Sequence, residues 1–277
     1  MPALRGTIYD VLDLMIIGGG KMGQALARGI LSAGAVNADS LGIVEVSEPL
    51  RVELQQRFPA SVVSEIPIPA SSTLLAVKPG DIEKIAASLG DDQKQKVLSI
   101  AAGVSTAALE VWLGGRPRVI RAMPNTPSML GMGMTALCGG RYASSEDIEW
   151  AESLMSAVGK VVVVKETQID AVTAVSGSGP AYVFLLAEAM IESAVREGLS
   201  WSLARELVNQ TIHGAGAMLS DGSQSPTELR QNVTSPGGTT AAAVAELEEA
   251  AIRSAVARAI ARARERSGEI TAELFKH

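Results

Sequence analysis

Gly18, Gly20 and Gly23 stand at the spacing G-x-G-x-x-G, directly after the apolar run Leu14 to Ile17 and directly before helix-forming residues that begin at Met22. Strand, tight turn and helix in that order make a phosphate-binding turn of the dinucleotide type. Gly18 permits the turn, Gly20 lets backbone approach a pyrophosphate, and Gly23 allows the helix to pack close to the strand. The helix start adds free N–H groups and the positive end of its dipole. An ordinary glycine-tolerant packing turn has the same spelling.

Other residues of chemical interest fall in loops. Glu45 lies about 20 positions beyond Gly23, where an acid binds ribose hydroxyls, whereas Ser47 and Arg51 are placed to accept a 2′-phosphate. The two cues conflict, so the choice between NADH and NADPH stays open. Lys78, in Lys78-Pro79-Gly80, fits a cofactor or active-site residue and equally an exposed structural lysine. Asn125 and Thr126, stiffened between Pro124 and Pro127, could meet a nicotinamide, and a rigid turn would look the same. Ser176 and Ser178 fall beside the start of a helix opened by Pro180. The stretch Asn232 to Thr240 places glycines and hydroxyls before another helix, as an anion cradle or as a simple capping loop.

The elements that must position these groups alternate through the first part of the chain. Strands are expected at Leu14–Ile17, Leu41–Val46, Thr73–Val77, Val97–Ile100, Val119–Met123, Met134–Cys138 and Val161–Val164. Helices are expected from Met22, over Pro49–Phe58, Asp81–Leu89, Ser105–Leu113 and Ser145–Val158. Continuously apolar strands belong in a sheet buried on both faces, whose carboxyl ends line the ligand crevice. After Ile169 the pattern is helical only, with helices at Pro180–Arg196, Ser202–Leu219 and Ala250–Ser267. The first of these is apolar nearly all round and should be central to a helical domain. The last has a thin alanine stripe suited to close packing, including packing on another subunit.

Composition narrows the function classes. The 277 residues are 47% hydrophobic but 3% aromatic, with a net charge of -6 and no basic stripe interleaved with aromatics, which disfavours nucleic acid as a partner. Cys138 is the only cysteine, so no intrachain disulfide forms, and its apolar setting reads as core. With His213 and His277 the only histidines, a Cys/His metal cage cannot be assembled, and nothing suggests a carboxylate metal site. Residues 1–13 lack a signal-peptide core, and no apolar run approaches the ~20 residues that span a bilayer. The expectation is a cytoplasmic protein with no membrane partner.

Taken together, IIGGGKMG (Ile16 to Gly23), AVKPGD (Ala76 to Asp81), SIAAGV (Ser99 to Val104), VIRAMPNTP (Val119 to Pro127), DAVTAVSGSGPAYVF (Asp170 to Phe184) and NVTSPGGTT (Asn232 to Thr240) resemble the pyrroline-5-carboxylate reductase family, in that family's order. The resemblance implies an α/β N-terminal Rossmann-like dinucleotide-binding domain followed by an all-α dimerisation domain. The boundaries expected are 1–13 for an extension, 14–165 for the cofactor domain and 166–277 for the helical and substrate domain. It also implies a homodimer, in many members joined into a larger ring of dimers. The reaction implied is reduction of the C=N bond of 1-pyrroline-5-carboxylate to L-proline by NADPH or NADH, the last step of proline biosynthesis.

The resemblance places Ile17, Gly18, Gly19, Gly20, Lys21, Met22, Ala76, Val77, Lys78, Pro79, Ala101, Ala102, Gly103 and Asn232 on the cofactor, and Ser47 and Asn125 join them as candidates. Glu166, Ser176, Ser235, Gly237, Gly238, Thr239 and Thr240 are the candidates near substrate, with Thr240 and Ser235 the catalytic pair. Thr240 would hydrogen-bond the ring nitrogen and the Gly238 and Thr239 amides would hold the carboxylate. Residues 1–13 and the sequence VEVSEP depart from the family pattern. A β-hydroxyacid dehydrogenase shares the two-domain plan, but Ala181 to Leu199 lacks the lysine expected there. A cofactor-binding regulatory protein that has lost its chemistry is the other alternative, disfavoured by two intact loops.

Overall fold

β1 (Leu14–Ile17), four apolar residues in succession, is fully buried and lies third from one edge of an eight-stranded sheet. The computed structural model describes residues 11–89 and 95–274. The sheet order is β3-β2-β1-β4-β5-β6-β7-β8, with β2 at Leu41–Val44, β3 at Val62–Ser64, β4 at Ser72–Leu75, β5 at Lys96–Ser99, β6 at Arg118–Met123, β7 at Gly133–Gly139 and β8 at Gly159–Val163. All pairings are parallel except β6 with β7. The order reverses on either side of β1, so its carboxyl end opens at the switch point where dinucleotides bind.

The helices α1 (Lys21–Ser32), α2 (Glu48–Arg57), α3 (Ile82–Leu89), α4 (Thr106–Leu113) and α5 (Ser145–Ser156) follow their strands as expected, within a few residues. One core joins α1 and α5 to the sheet through Leu14, Ile16, Leu26, Ile30 and Met155. A second, through Met15, Ile17, Ile82, Ala86 and Leu109, joins α3 and α4 to the opposite face. Ser105 caps α4, its hydroxyl accepting from the Ala108 N–H, and Gly114 ends it at φ 74°. Of the expected extension 1–13, residues 1–10 lie outside the described residues; Leu12 makes an isolated bridge to Ala70 and the Asp13 N–H donates to the Ser40 carbonyl.

Several features differ from the sequence expectation. β3 was not expected; it is a half-buried edge strand of three residues, too short to show a period. β7 runs antiparallel to β6 because Pro124–Met132 contains only the 3-10 turn Thr126–Leu130, and a parallel crossover needs about a dozen residues or more. The third is Ser176 to Pro180, expected as a loop before a new helix. Instead α6 (Ile169–Val172) runs into a π turn over Thr173–Gly177, and α7 (Gly179–Arg196) follows after Ser178 alone.

The helical stretch Glu166–Arg196 is 31 residues long, reaches a mean hydropathy of 1.3, and is 11% buried over its most apolar window. By length and composition it is therefore able to cross a membrane, contrary to the expectation that no run approaches that length. Beyond it come α8 (Trp201–Asp221), α9 (Pro226–Asn232), α10 (Thr239–Glu249) and α11 (Ile252–Leu274). α9 was not expected, although Ser225 and Glu228 form a reciprocal capping box at its start. By internal contacts the chain forms two units, one of residues up to Gly177 together with those from Ala263 onward, the other Ser178–Arg262. That division falls elsewhere than residue 165, and α11 runs from one unit into the other. His277 lies outside the described residues.

Candidate functional site

The three glycines of the first turn do separate work. A Cβ on Gly23 would sit 1.9 Å from the Gly18 carbonyl oxygen, so α1 can approach β1 only if that side chain is absent. Gly18 adopts φ +109°, and a Cβ there would lie 2.5 Å from the Ala76 carbonyl oxygen. Gly20 is exposed, with nothing within 4 Å of the Cβ position, and begins α1 without a side-chain cap. The open approach and the uncapped helix start are what a pyrophosphate requires. Residues Ile17 to Met22 thus form an open strand-to-helix turn of the shape a dinucleotide cradle needs, with Lys21 exposed at its rim.

Glu45 follows β2 and spans the mouth of this turn. Its Oε2 accepts from the Gly19 N–H at 3.0 Å and its Oε1 from the Ser47 N–H at 2.9 Å. Arg51 donates to the Glu45 and Val46 carbonyls at 2.9 and 2.8 Å and pairs with Glu65 at 3.3 Å. Beside them a cleft of about 410 Å³ is lined by Gly18, Glu45, Glu65, Asp81, Lys84 and other residues. It is partly open and large enough to take an adenosine group.

Ala76 to Pro79 and Ala101 to Gly103 follow β4 and β5, the neighbours of β1 on the other side of the switch point. Val77 borders the same cleft, and Lys78 is exposed before the 3-10 turn Pro79–Asp81. Ala101 is buried, Ala102 half-buried. Gly103 has φ +78°, and a Cβ there would meet Ile270 of α11 at 2.8 Å. This glycine serves the seating of the C-terminal helix, a role its motif did not disclose.

Asn125 is engaged at both ends of its amide. Its Oδ1 accepts from the Met134 N–H at 2.9 Å and its Nδ2 donates to the Ser176 carbonyl at 3.0 Å. In a regular helix that carbonyl would accept from residue 180, which here is proline and has no N–H. The Ala181 N–H goes to Ser178 instead. Asn125 therefore supplies the donor that Pro180 lacks, which explains how the helix passes through a glycine- and serine-rich stretch. The Ser176 hydroxyl donates back to the Val172 carbonyl, so Ser176 lies within a helix rather than at an open positive end.

Glu166 also has internal partners. Its Oε1 accepts from the Thr106 N–H at 2.8 Å and from Arg121 at 3.2 Å, and its Oε2 from the Thr106 hydroxyl at 2.6 Å. Arg121 is only 5% exposed, and Glu166 neutralises it. The partnership was missed in sequence, though one arginine inside the apolar strand Val119–Met123 was the signal for it. Cys138 lies in the cluster of Ala136 and Ile169. Burial, reinforced by the charge of Glu166 and opposed by Arg121, pushes its thiol up to about 12, which leaves it unreactive as a nucleophile.

Asn232, Ser235, Gly237, Gly238, Thr239 and Thr240 all fall in the second unit. Ser235-Pro236-Gly237-Gly238 closes a turn in which the Gly238 N–H donates to the Ser235 carbonyl at 3.1 Å. Proline at the second position and Gly237 at φ +70° in the third are the requirements of a type II turn. A Cβ on Gly238 would strike the Ser235 hydroxyl oxygen, at 2.4 Å. α10 then starts at Thr239 with no side-chain cap, and Thr240 is half-buried in its first turn. Free amides at such a start suit a carboxylate. Asn232 is exposed and donates to Gln224 at 3.2 Å.

Comparison with known proteins finds two family matches along the chain. Residues 166–270 match the family model for pyrroline-5-carboxylate reductase dimerisation, and residues 13–103 match that for coenzyme F420-dependent NADP oxidoreductases. The chain is 40% identical over 265 residues to the pyrroline-5-carboxylate reductase of Corynebacterium melassecola, covering 93% of this chain and 98% of that one. With its counterpart from Mycobacterium tuberculosis it is 38% identical over 276 residues, 90% of this chain and 93% of the relative. The solved reductase of Coxiella burnetii superposes with a TM-score of 0.88 at 35% identity, covering 95% of this chain and 99% of that one. The pyrroline carboxylate reductase of Plasmodium falciparum, solved with NADP bound, gives 0.80 at 29%, covering 94% and 98%. A likeness of this extent, over the glycine cradle and the Ser235–Thr240 turn alike, places the chain in the pyrroline-5-carboxylate reductase family.

Proposed function

We propose that the protein reduces the C=N bond of 1-pyrroline-5-carboxylate to give L-proline, the last step of proline biosynthesis. The observation that carries this reading is the near full-length match to reductases of that name. The glycine cradle fits a dinucleotide: Gly20 leaves the space a pyrophosphate needs, and the helix start behind it is uncapped. Reduced nicotinamide, when bound, supplies the hydride that adds to the imine carbon.

The chain's own residues bind and orient. The turn at Ser235–Gly238 uses the Gly238 N–H internally, on the Ser235 carbonyl, which corrects the expectation for that amide; in our reading the Thr239 N–H at the uncapped start of α10 receives the substrate carboxylate. The Thr240 hydroxyl accepts a hydrogen bond from the ring N–H of the protonated imine, the form that takes hydride more readily. Ser235 keeps the turn in place by packing its hydroxyl against Gly238. Positioning of this kind contributes about 7–11 kcal/mol to a barrier, so no strong acid or base is needed.

The division we propose is a cofactor domain over residues 14–165 and a helical domain over 166–277 that provides the substrate turn and the subunit interface. The apolar face of α7 then meets a second copy of the chain rather than lipid, and dimers join into a larger ring in the cytoplasm. The test is oxidation of NADH and of NADPH by the purified protein with 1-pyrroline-5-carboxylate, with proline identified as product. Turnover is expected with the native chain. Thr240→Ala should lower kcat while cofactor binding persists; an unchanged rate removes Thr240 from the mechanism.

A further inference from the structure

The charged groups that follow β2 are already matched with one another. Ser47 and Arg51 are the residues that would cradle a 2′-phosphate. The Ser47 N–H donates to Glu45 at 2.9 Å. The Arg51 guanidinium donates to the carbonyls of Glu45 and Val46 and is paired with Glu65 at 3.3 Å. Glu45 itself is held by two backbone N–H groups, one on each carboxylate oxygen, so its position is set before any ligand arrives.

We propose that Glu45 is the specificity residue for the cofactor and selects NADH over NADPH. Each of its oxygens retains a lone pair after accepting one N–H, enough to receive the two ribose hydroxyls of NADH. A 2′-phosphate in the same place meets the charge of Glu45 directly. The surrounding cleft adds Glu65 and Asp81 against one lysine, Lys84, with Arg51 neutralised by Glu65. Like charges lining one cleft disfavour a bound phosphate, and the Arg51 guanidinium that could offset them is held by two carbonyls and Glu65. The proposal rests on reading the chain as a nicotinamide-dependent reductase, and it concerns this chain's loop; the NADP seen in the Plasmodium structure belongs to that protein.

The experiment measures dissociation constants of NADH and NADPH by calorimetry on the native protein, and displacement of bound NADH by adenosine 5′-monophosphate and by adenosine 2′,5′-bisphosphate. NADH is expected to bind at least about tenfold more tightly than NADPH, and the monophosphate to compete better than the bisphosphate. Equal or tighter binding of NADPH overturns the proposal. Glu45→Ser removes the charge and frees the Gly19 and Ser47 amides, and should shift the NADPH/NADH affinity ratio toward NADPH by about tenfold or more. Should that variant not fold, Glu65→Gln removes the charge paired with Arg51 and should move the ratio the same way, by about threefold. A ratio unmoved in the folded variants also overturns the proposal. Tight NADH binding without turnover of 1-pyrroline-5-carboxylate counts against the reductase reading and leaves the cofactor selection standing.

Discussion

The two units dispose of their apolar side chains in opposite ways. In the first, Leu14, Ile16, Leu26, Leu74, Leu98 and Ile120 are at most 1% exposed, and both faces of the sheet are covered by helices of the same unit. In the second, the buried cluster contains Ile191, Ala204 and Val208, whereas Phe184 is 61% exposed, Leu185 66% and Trp201 58%. A helix that is apolar nearly all round needs partners on all sides, and within the second unit the described residues bury α7 against α8, through Ile191, Ala204 and Val208. The first unit has what an isolated fold requires. The second has the surface of one half of an assembly, in keeping with its match to a dimerisation family.

Replacing that surface tests the contrast most severely. Phe184→Glu combined with Leu185→Glu removes two side chains worth about 1.5–3 kcal/mol each when buried, and in a symmetric dimer the loss is counted on both copies. Light scattering at micromolar concentration should show the native chain as a dimer or larger and the double variant as a monomer. NADH binding by the first unit should survive. An assembly unchanged by both charges would show that the exposed face of α7 is not the interface.

Within the first unit the glycines allow a finer comparison between packing and ligand space. Gly23→Ala forces a carbon against the Gly18 carbonyl oxygen, where neither backbone can yield. It should lower stability by about 3 kcal/mol in denaturant titrations, as overpacking of a rigid contact does. Gly20→Ala has open space and should leave stability within about 0.5 kcal/mol while weakening cofactor binding. If both variants changed only binding, the glycine spacing would be a ligand feature alone.

How much of this was legible in the sequence follows the same line. The turn at Gly18 and the close packing at Gly23 were readable because backbone geometry dictates them locally. So were the Ser105 cap and the Gly114 stop of α4. The continuous helix through Ser176 to Pro180 was not, because its continuity depends on Asn125, a residue about 50 positions away that donates where proline cannot. Glu166 reads as a free carboxylate until Arg121 and Thr106 are brought to it by the sheet. Edge strand β3 was too short to show a period, and α9 is a single short helix whose capping box passed unread. At Ser235–Gly238 the sequence left a cradle or a capping loop open; the turn set by Pro236 and Gly237 appears in the structure, and only family resemblance names a ligand there.

Cys138 provides the smallest test of how closed the first unit is. Its thiol is pushed up to about 12 from an ordinary value of 9.0, first by burial and then by Glu166. The folded state therefore keeps a proton that the unfolded chain releases above pH 9, so this residue's contribution is intact below that pH and is lost as pH climbs from about 9 toward 12. Stability of the native chain minus that of Cys138→Ala should be flat up to about pH 8 and should fall by about 1.4 kcal/mol by pH 10, because other titrating groups cancel in the difference. Thiol reagents at pH 8 should label the residue only after unfolding. A difference that stays level to pH 10, with rapid labelling of the folded protein, would mean that water reaches the strand beneath α6 and that the first unit is less sealed than its packing implies.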